Sequence, residues 1–455
     1  CGFQQVRING LDGPYTQILI DSRPVFSALS GVYGLEQIPA SMIERVEVMR
    51  GGGSALFGSS AIAGTINIIT KEPLRNSGQL SHTITSLGGS SSFDNNTSLN
   101  ASLVTDDHRA GLYIFGQNRY RSGYDYDGDG FTELPKLKNQ TVGFRSYLKT
   151  STYSKLTFEY HHMQEFRRGG DMLNRPPHEA HIAEQLQHSI DGGSLKFDYF
   201  SPDEKNRLSV FASAANTDRD SYYGPGNDPL KAYGKTTDLT AMGGAQYVHT
   251  FDKCFFMPSD LTAGLEYNRD RLKDNMWGYN RHTDQTVNIY SAFLQNEWKN
   301  DRWGILIGGR LDKHNMVDNV IFSPRANLRF NPTQNINLRL SYSSGFRAPQ
   351  AFDEDMHIEN VGGTVAMIER AKDLKEEKSQ SFSVSADMYH RFGAFQTNLL
   401  IEGFYTRLTD VFVLGKPYDR GDGILVKTRS NGPGAKVMGL TLEGKVAYLS
   451  ILQIQ

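Results

Sequence analysis

From about residue 78 onward the chain alternates apolar and polar residues with period two, the pattern of strands whose two faces meet different surroundings. Ile336, Leu338, Leu340 and Tyr342 alternate with Asn337, Arg339, Ser341 and Ser343. Phe382, Val384, Ala386 and Met388 alternate with Ser381, Ser383, Ser385 and Asp387, and Met438, Leu440, Leu442, Val446 and Tyr448 lie opposite Thr441, Glu443 and Lys445. A soluble sandwich alternates too, so the connections decide. Short turns at 105–108, 149–152, 201–206, 299–302, 331–334 and 391–393 fall between connections that are usually much longer, at 124–138, 167–187, 222–237, 274–285, 347–376 and 414–434. Membrane barrels have that asymmetry, with short turns on the inner side and longer loops outside. Every backbone group inside a bilayer must be paired, so such a sheet closes on itself. The pattern predicts about sixteen antiparallel strands, many long enough to cross a tilted wall.

Residues 1–73 read differently, as a small mixed α/β unit. Strands are predicted over 17–21, 45–49 and 65–70. A short helix is predicted over 38–44, with Pro39 early, where a missing N–H is tolerated. The chain therefore divides into 1–73 and 78–455.

Composition changes the picture in two ways. Lys plus Arg is 48 against 50 for Asp plus Glu, a near balance that gives no basic surface for nucleic acid. Mean hydropathy is −0.47 and no run of about 18 apolar residues offers a membrane helix. Outer-membrane strands never look hydrophobic in a window, however, and Tyr 22, Phe 25 and Gly 45 suit aromatic girdles and turns. Two cysteines, Cys1 and Cys254, require no disulfide framework. No signal peptide is present, which an exported protein loses or carries outside the segment.

The first seventy residues also carry a dense ordered motif. Ile18 to Asp21, Ile38-Pro39, Ile43-Glu44-Arg45-Val46-Glu47-Val48-Met49-Arg50-Gly51, Ser54-Ala55-Leu56-Phe57-Gly58 and Ala61 to Lys71 closely resemble the second half of the plug of TonB-dependent outer-membrane receptors, in wording nearest the Bacteroidetes type. Phe346-Arg347-Ala348-Pro349 resembles the family's FRAP box at a strand end. Asp373-Leu374 resembles the start of the strand after the next loop, with Ala371-Lys372 replacing the usual Asn-Pro. Asn431-Gly432 through Glu443 resembles a recurrent barrel segment. The resemblance implies an all-β transmembrane barrel of about twenty-two strands, of which about sixteen are here, truncated at the C-terminal end, with a partial α/β plug inside. It also implies that the first half of the plug and the TonB-binding segment lie outside the chain.

Several residues invite chemistry. Arg50-Gly51-Gly52-Gly53 lacks the Gly-Lys-Ser/Thr ending of a phosphate loop. Glu44, Arg45, Glu47 and Arg50 form a charged set. On a strand, Arg45 and Glu47 share one face while Glu44 and Arg50 share the other. The plain reading is docking of the plug on the wall, and the functional one a part in its release. Asp125-Tyr126-Asp127-Gly128-Asp129-Gly130 opens like a calcium loop, but the twelfth position is Lys136 and no helices flank it, so it is no EF-hand. Asp125, Asp127, Asp129 and Glu133 can still offer oxygens, against the plain reading of a solvated acidic turn. His161-His162 and His178-Glu179-Ala180-His181 lack the His-Glu-x-x-His zinc signature. His357 lies in the long loop after the FRAP box, where the resemblance implies an axial histidine in haem receptors. Met356 is a second soft ligand candidate and Arg347 a third ligand-facing one. The plain reading of that segment is a polar loop.

The resemblance implies active transport of a scarce metal complex, whether haem, cobalamin or a ferric siderophore, across the outer membrane. It implies the TonB complex as partner, outer-membrane lipid as surroundings, a surface lipoprotein as a further partner, no catalysis and no required cofactor, with a structural calcium at the acidic loop as an option. A passive porin or adhesin barrel is the alternative, and a barrel enzyme a further rival.

Overall fold

The computed structural model describes residues 6–24, 29, 38–50, 58, 61–225, 232–361, 364–449 and 451–454. The plug sheet comprises β1 (Thr16–Ile20), β2 (Arg23–Pro24), β3 (Ile43–Arg50) and β4 (Gly64–Thr70), in the order β2-β1-β4-β3. β1 runs parallel to β4 and β3 antiparallel to it. β4 is buried along almost its whole length, as a strand covered on both faces must be, and its run Thr65-Ile66-Asn67-Ile68-Ile69 is correspondingly apolar. Gly64 has a local reason: a Cβ there would meet the Met49 carbonyl oxygen at 2.3 Å, so only glycine lets β3 and β4 close up.

The helix expected over 38–44 is a single 3-10 turn, Ala40–Met42, after Pro39. The ladder of β3 on β4 begins at once with Ile43 opposite Thr70, which leaves no room for a second turn. Glu44 falls at the irregularity where that ladder shifts register.

Among the described residues, sixteen strands of ten residues or more form the barrel. They are β5 (Ser77–Ser86), β6 (Phe93–Val104), β7 (Ala110–Arg121), β8 (Lys136–Ser151), β9 (Ser154–Gly170) and β10 (Ile182–Phe200). Then come β11 (Asn206–Pro225), β12 (Tyr233–Cys254), β13 (Met257–Met276), β14 (Arg281–Lys299), β15 (Trp303–His314), β16 (Ile321–Thr333) and β17 (Ile336–Arg347). A loop excursion follows, with α1 (Asp353–Met356), β18 (Glu359–Val361) and β19 (Thr364–Arg370). β20 (Glu377–Phe392) and β21 (Phe395–Thr409) return to the wall. β22 (Phe412–Leu414), β23 (Tyr418–Asp419) and β24 (Leu425–Asn431) leave it again before β25 (Ala435–Tyr448) and the short β26 (Leu452–Ile454). The ring closes through β26 beside β5. That seam is its thinnest part: β26 pairs with three residues of β25, and β5 is exposed along all ten of its residues.

Burial runs opposite to that of a soluble protein, where large apolar residues go inside. Outward-facing Leu265, Leu440 and Leu442 are 65%, 76% and 68% exposed, whereas inward Arg168, Arg219 and Arg310 are among the largest fully buried side chains. An apolar outer face over a polar interior is the signature of a barrel in lipid.

Three connections carry more structure than a plain loop. The loop expected at 274–285 is a tight turn, Trp277–Tyr279, with Asn280 in the left-handed region at φ 49, because β13 and β14 pair residue by residue up to Met276 and Arg281. The connections at 347–376 and 414–434 are not irregular: β18, β19, β24 and β22 form a second small sheet with β23 beside it, β19 lying parallel to β24.

Candidate functional site at the plug and the barrel mouth

The plug meets the wall through charges. Arg50 reaches Glu402 and Glu443, each at 3.2 Å, on β21 and β25. The docking role expected of the four-residue set therefore falls on Arg50. Arg45 instead pairs with Glu47 at 2.8 Å within β3, Glu47 also accepts from Asn67 at 3.2 Å, and Glu44 stays exposed. Sequence reading missed a tighter contact. Asp21, just past β1, pairs with Arg145 of β8 and accepts from the Thr70 hydroxyl at 2.7 Å and its amide at 3.0 Å. Burial pushes the Asp21 carboxyl up, but Arg145 and Thr70 outweigh it and hold it below its usual range. Nothing local to Asp21 reveals this, because Arg145 lies 124 residues away. The Arg50-Gly51-Gly52-Gly53 loop lies, after Arg50, outside the described residues, as does Cys1. Cys254 is a free thiol.

Between the plug and β9 to β12 lies a cavity of about 220 Å³. Ile18, Ile20 and Met42 face it from the plug, and Gly192, Ser213 and Ala215 from the wall. His161 and His162 take opposite faces, as expected. His161 lines the cavity, its ring lying over Gly192, where a Cβ would come within 2.6 Å of it. His162 points outward to Asp191 at 2.9 Å. His178 and His181 do not converge: one meets the Tyr233 hydroxyl at 2.9 Å and the other Asp171 at 2.6 Å.

At the mouth, α1 carries three consecutive acids, and each meets an arginine from a different element. Asp353 pairs with Arg219 of β11 at 2.6 Å, both almost fully buried. Glu354 pairs with Arg347 at the end of β17, and Asp355 with Arg429 of β24 at 2.9 Å. Burial pushes the Asp353 carboxyl up to about 6 against the pull of Arg219, and pushes Asp355 up against Arg429. Arg281 donates to the Met356 carbonyl at 3.0 Å, and Arg370 to the Pro349 carbonyl at 3.0 Å. The loop is thus held down into the barrel by arginines.

Two of the three ligand candidates are buried in this arrangement. The Arg347 side chain is 4% exposed, stacked by Phe352 at 4.1 Å and near Tyr15 of the plug, whose hydroxyl donates to Glu377 at 3.0 Å. Arg347 therefore ties loop, wall and plug together. Met356 is 2% exposed and packs with Leu29, Leu272 and Ala351. His357 is more open: its side chain is 25% exposed, edge-on to Tyr223 at 5.1 Å, with Nδ1 4.0 Å from Glu184.

The acidic hairpin lies apart, between β7 and β8. Asp125, Asp127, Asp129 and Glu133 each bring one oxygen within 4.8 Å of the others. Asp125 also accepts from the Gly128 and Gly130 amides at 2.7 and 2.8 Å, which shapes the turn. An all-oxygen set of this kind suits calcium.

Comparison with known proteins bears on all of this. The family model for the TonB-dependent receptor-like β-barrel matches residues 64–453, and that for the TonB-dependent receptor plug domain matches residues 1–65. The junction falls at β4, which hydrogen bonds within the plug sheet. The vitamin B12 transporter BtuB of Vibrio vulnificus is 23% identical over 76% of this chain and 54% of its own length. An iron-regulated outer membrane virulence protein of Vibrio cholerae is 27% identical over 76% of this chain and 51% of its own. The chain thus spans about half the length of these relatives. The crystal structure of the siderophore receptor PirA from Acinetobacter baumannii superposes with a TM-score of 0.78 at 18% identity, covering 97% of this chain and 71% of that one, a likeness of fold. With both models matched in order along nearly its whole length, the chain belongs to the TonB-dependent receptors, the plugged β-barrels of the bacterial outer membrane.

Proposed function

We propose that the chain is the plug-and-barrel core of a receptor that captures an anionic metal chelate at the outer mouth and passes it inward when a TonB-type partner pulls on the plug. The observation that carries the reading is the arginine cluster at the mouth, drawn from five elements: Arg219, Arg347 and Arg429 are answered by the carboxylates of α1, while Arg281 and Arg370 hold the Met356 and Pro349 carbonyls. Guanidinium groups are the preferred partners of carboxylates and similar anions. An anionic chelate able to displace the α1 acids would meet a ready-made set of donors. Relatives and structural neighbours named for siderophore and ferric enterobactin reception support this class. A pull on the plug would break the contact of Arg50 with Glu402 and Glu443, and binding above it changes no covalent bond.

A second reading rests on the acidic hairpin. Calcium held by Asp125, Asp127, Asp129 and Glu133 would order the outer loops for cobalamin, and BtuB is among the relatives. Haem through His357 is a third, resting on an imidazole that is partly open in the mouth. A surface lipoprotein remains a proposed partner, by family resemblance alone.

The test is a binding panel on the full-length receptor in detergent: a ferric tris-catecholate, haem and cobalamin, with and without calcium, beside Arg429→Gln and His357→Ala. Saturable binding of the ferric chelate, weakened at least tenfold by Arg429→Gln, is expected. Calcium-dependent binding of cobalamin alone would overturn the anionic reading in favour of the second. A Soret shift lost in His357→Ala would move it to haem. A steadily open channel in planar bilayers with no ligand bound would return the passive-porin alternative.

A further inference from the structure

The wall is not zipped to its rim everywhere. The ladder between β16 and β17 stops at Arg325 opposite Ser343, although β16 begins at Ile321 and β17 continues to Arg347. On their far sides both strands stay paired to the end, β16 with β15 up to Ile321 and β17 with β20 up to Arg347. Residues 321–324 and 344–347 therefore face one another without a ladder, and among the described residues no backbone hydrogen bond joins them. Pro324 stands where the ladder stops, and it has no N–H to give. Above the split the two edges meet through side chains, Val317 and Ile321 packing with Phe346 and Ala348.

A cavity of about 580 Å³ lies along the split and is lined by both edges. Its outer rim carries exposed Phe322 with the outward-facing Tyr342, Lys378 and Arg407. Glu376 answers Lys378 at 3.0 Å. Arg407 is exposed, faces Gln380 on β20 and Lys436 on β25, and has no acid paired with it among the described residues. Deeper in, the cavity reaches Ser323 and Ser379, which are 1% and 3% exposed. Neither hydroxyl has a hydrogen-bond partner among the described residues, although buried polar groups are normally paired. The split thus offers two strand edges, two idle hydroxyls and one unpaired cation. Unpaired backbone is costly where water is scarce. A lipid or a sugar cannot answer it, since neither repeats donors and acceptors at the spacing of a strand. An extended polypeptide does so along both of its edges.

We infer that the split between β16 and β17 receives an extended acidic segment of a partner polypeptide, which pairs with both edges as an added strand. Alternate residues of such a guest point to opposite faces of the wall. Those turned inward set a polar side chain against Ser323 and Ser379, and those turned outward set a carboxylate against Arg407. β17 ends at Arg347, which pairs with Glu354 of the mouth loop, so the guest docks on the strand that anchors that loop. The assignment does not rest on the ligand reading, because it uses none of the mouth arginines as a binding group.

The experiment is fluorescence anisotropy of the full-length receptor in detergent with a labelled hexapeptide of alternating Thr and Glu, with its backbone N-methylated copy, and with its Thr/Lys counterpart. The Thr/Glu peptide should bind saturably and about tenfold or more tighter than either of the others, the loss expected when two backbone bonds or the charge contact go. Its binding should slow hydrogen exchange at the amides of Ser344 to Arg347. Arg407→Glu should weaken it about tenfold and strengthen the Thr/Lys peptide. No saturable binding of the Thr/Glu peptide would overturn the assignment without recourse to any variant. So would equal binding of the N-methylated copy, since the rim would then hold any anion by charge alone, a lipid phosphate included. Unchanged affinity in the folded Arg407→Glu variant would overturn it too.

Discussion

Replacing Arg219 with methionine tests whether arginines hold the mouth loop down. The Arg219 and Asp353 side chains are 1% and 3% exposed and 2.6 Å apart. Removing one partner of a buried pair costs about 3–5 kcal/mol, because the other is left charged and desolvated. Asp353 can take up a proton instead, so the lower figure applies near pH 7.5. Loop opening should rise about 150-fold. Hydrogen exchange reads it directly, at the His357 amide, which donates to the Asp353 carbonyl at 3.1 Å, and at the Asp355 amide, which donates to Phe352 at 2.9 Å. The pH dependence carries a definite sign. Burial already raises the Asp353 carboxyl to about 6, so the docked loop binds its proton more tightly than the released loop does. Docking is favoured below the ordinary carboxyl range and weakens as pH rises through about 6. Without Arg219 the docked carboxyl moves higher still and the slope steepens. Acid should therefore restore protection in Arg219→Met, and the double variant Arg219→Met/Asp353→Asn should restore it at all pH values. Unchanged exchange in Arg219→Met at pH 7.5, or loss that acid leaves in place, would refute the reasoning.

Three further outcomes follow from the geometry. Arg50→Glu sets a third carboxylate against Glu402 and Glu443. Since Arg50 is more than a third exposed, the loss should be only about 1 kcal/mol, seen as faster exchange along β3 with the barrel unaffected. Gly192→Ala places a Cβ 2.6 Å from the His161 ring and should cost about 1–3 kcal/mol, read as a lower folded fraction by heat-modifiable migration, and His161→Ala should relieve it. Calcium titration by calorimetry should show one site that Asp127→Asn/Asp129→Asn abolishes, and an unchanged isotherm in that variant would remove the hairpin as the site.

The barrel was legible because lipid and lumen impose opposite demands on alternate residues, and the short-turn, long-loop asymmetry survives in any window. Leu440 and Leu442 could be placed on one face from sequence alone, and both are exposed on the outside of the wall. The plug motif was legible for a steric reason as well as by resemblance: Gly64 stands where β3 and β4 approach too closely for any side chain. What stayed hidden was pairing across distance. Arg50 meets Glu402 and Glu443 at separations of 352 and 393 residues, and a lumen full of charges gives each many equivalent partners. Arg347 was placed in the mouth from its motif, but its pairs with Glu354 and Glu377 were not legible. A motif marks where a residue stands, and burial decides whether it touches a ligand or holds the structure that does.

The ion pairs are also graded in a way that bears on how the molecule opens. At the mouth, Arg219 with Asp353 and Arg429 with Asp355 are buried to within a few per cent, and breaking either leaves a stranded charge. Lower in the lumen, Arg50 is 38% exposed and its partners 14% and 30%, so water can take over its contacts as they part. β3 lies at the edge of the plug sheet, with Val46 and Val48 51% and 58% exposed, so it carries little packing of its own. A force on the plug therefore meets its smallest barrier at β3, whereas release of the loop at the mouth calls for a competitor for the arginines. Single-molecule pulling on the plug should give a first rupture that Arg50→Glu lowers and Arg219→Met leaves unchanged. If the mouth variant shifted that first rupture instead, the loop and the plug would be one cooperative unit, and the separation of capture from release would be wrong.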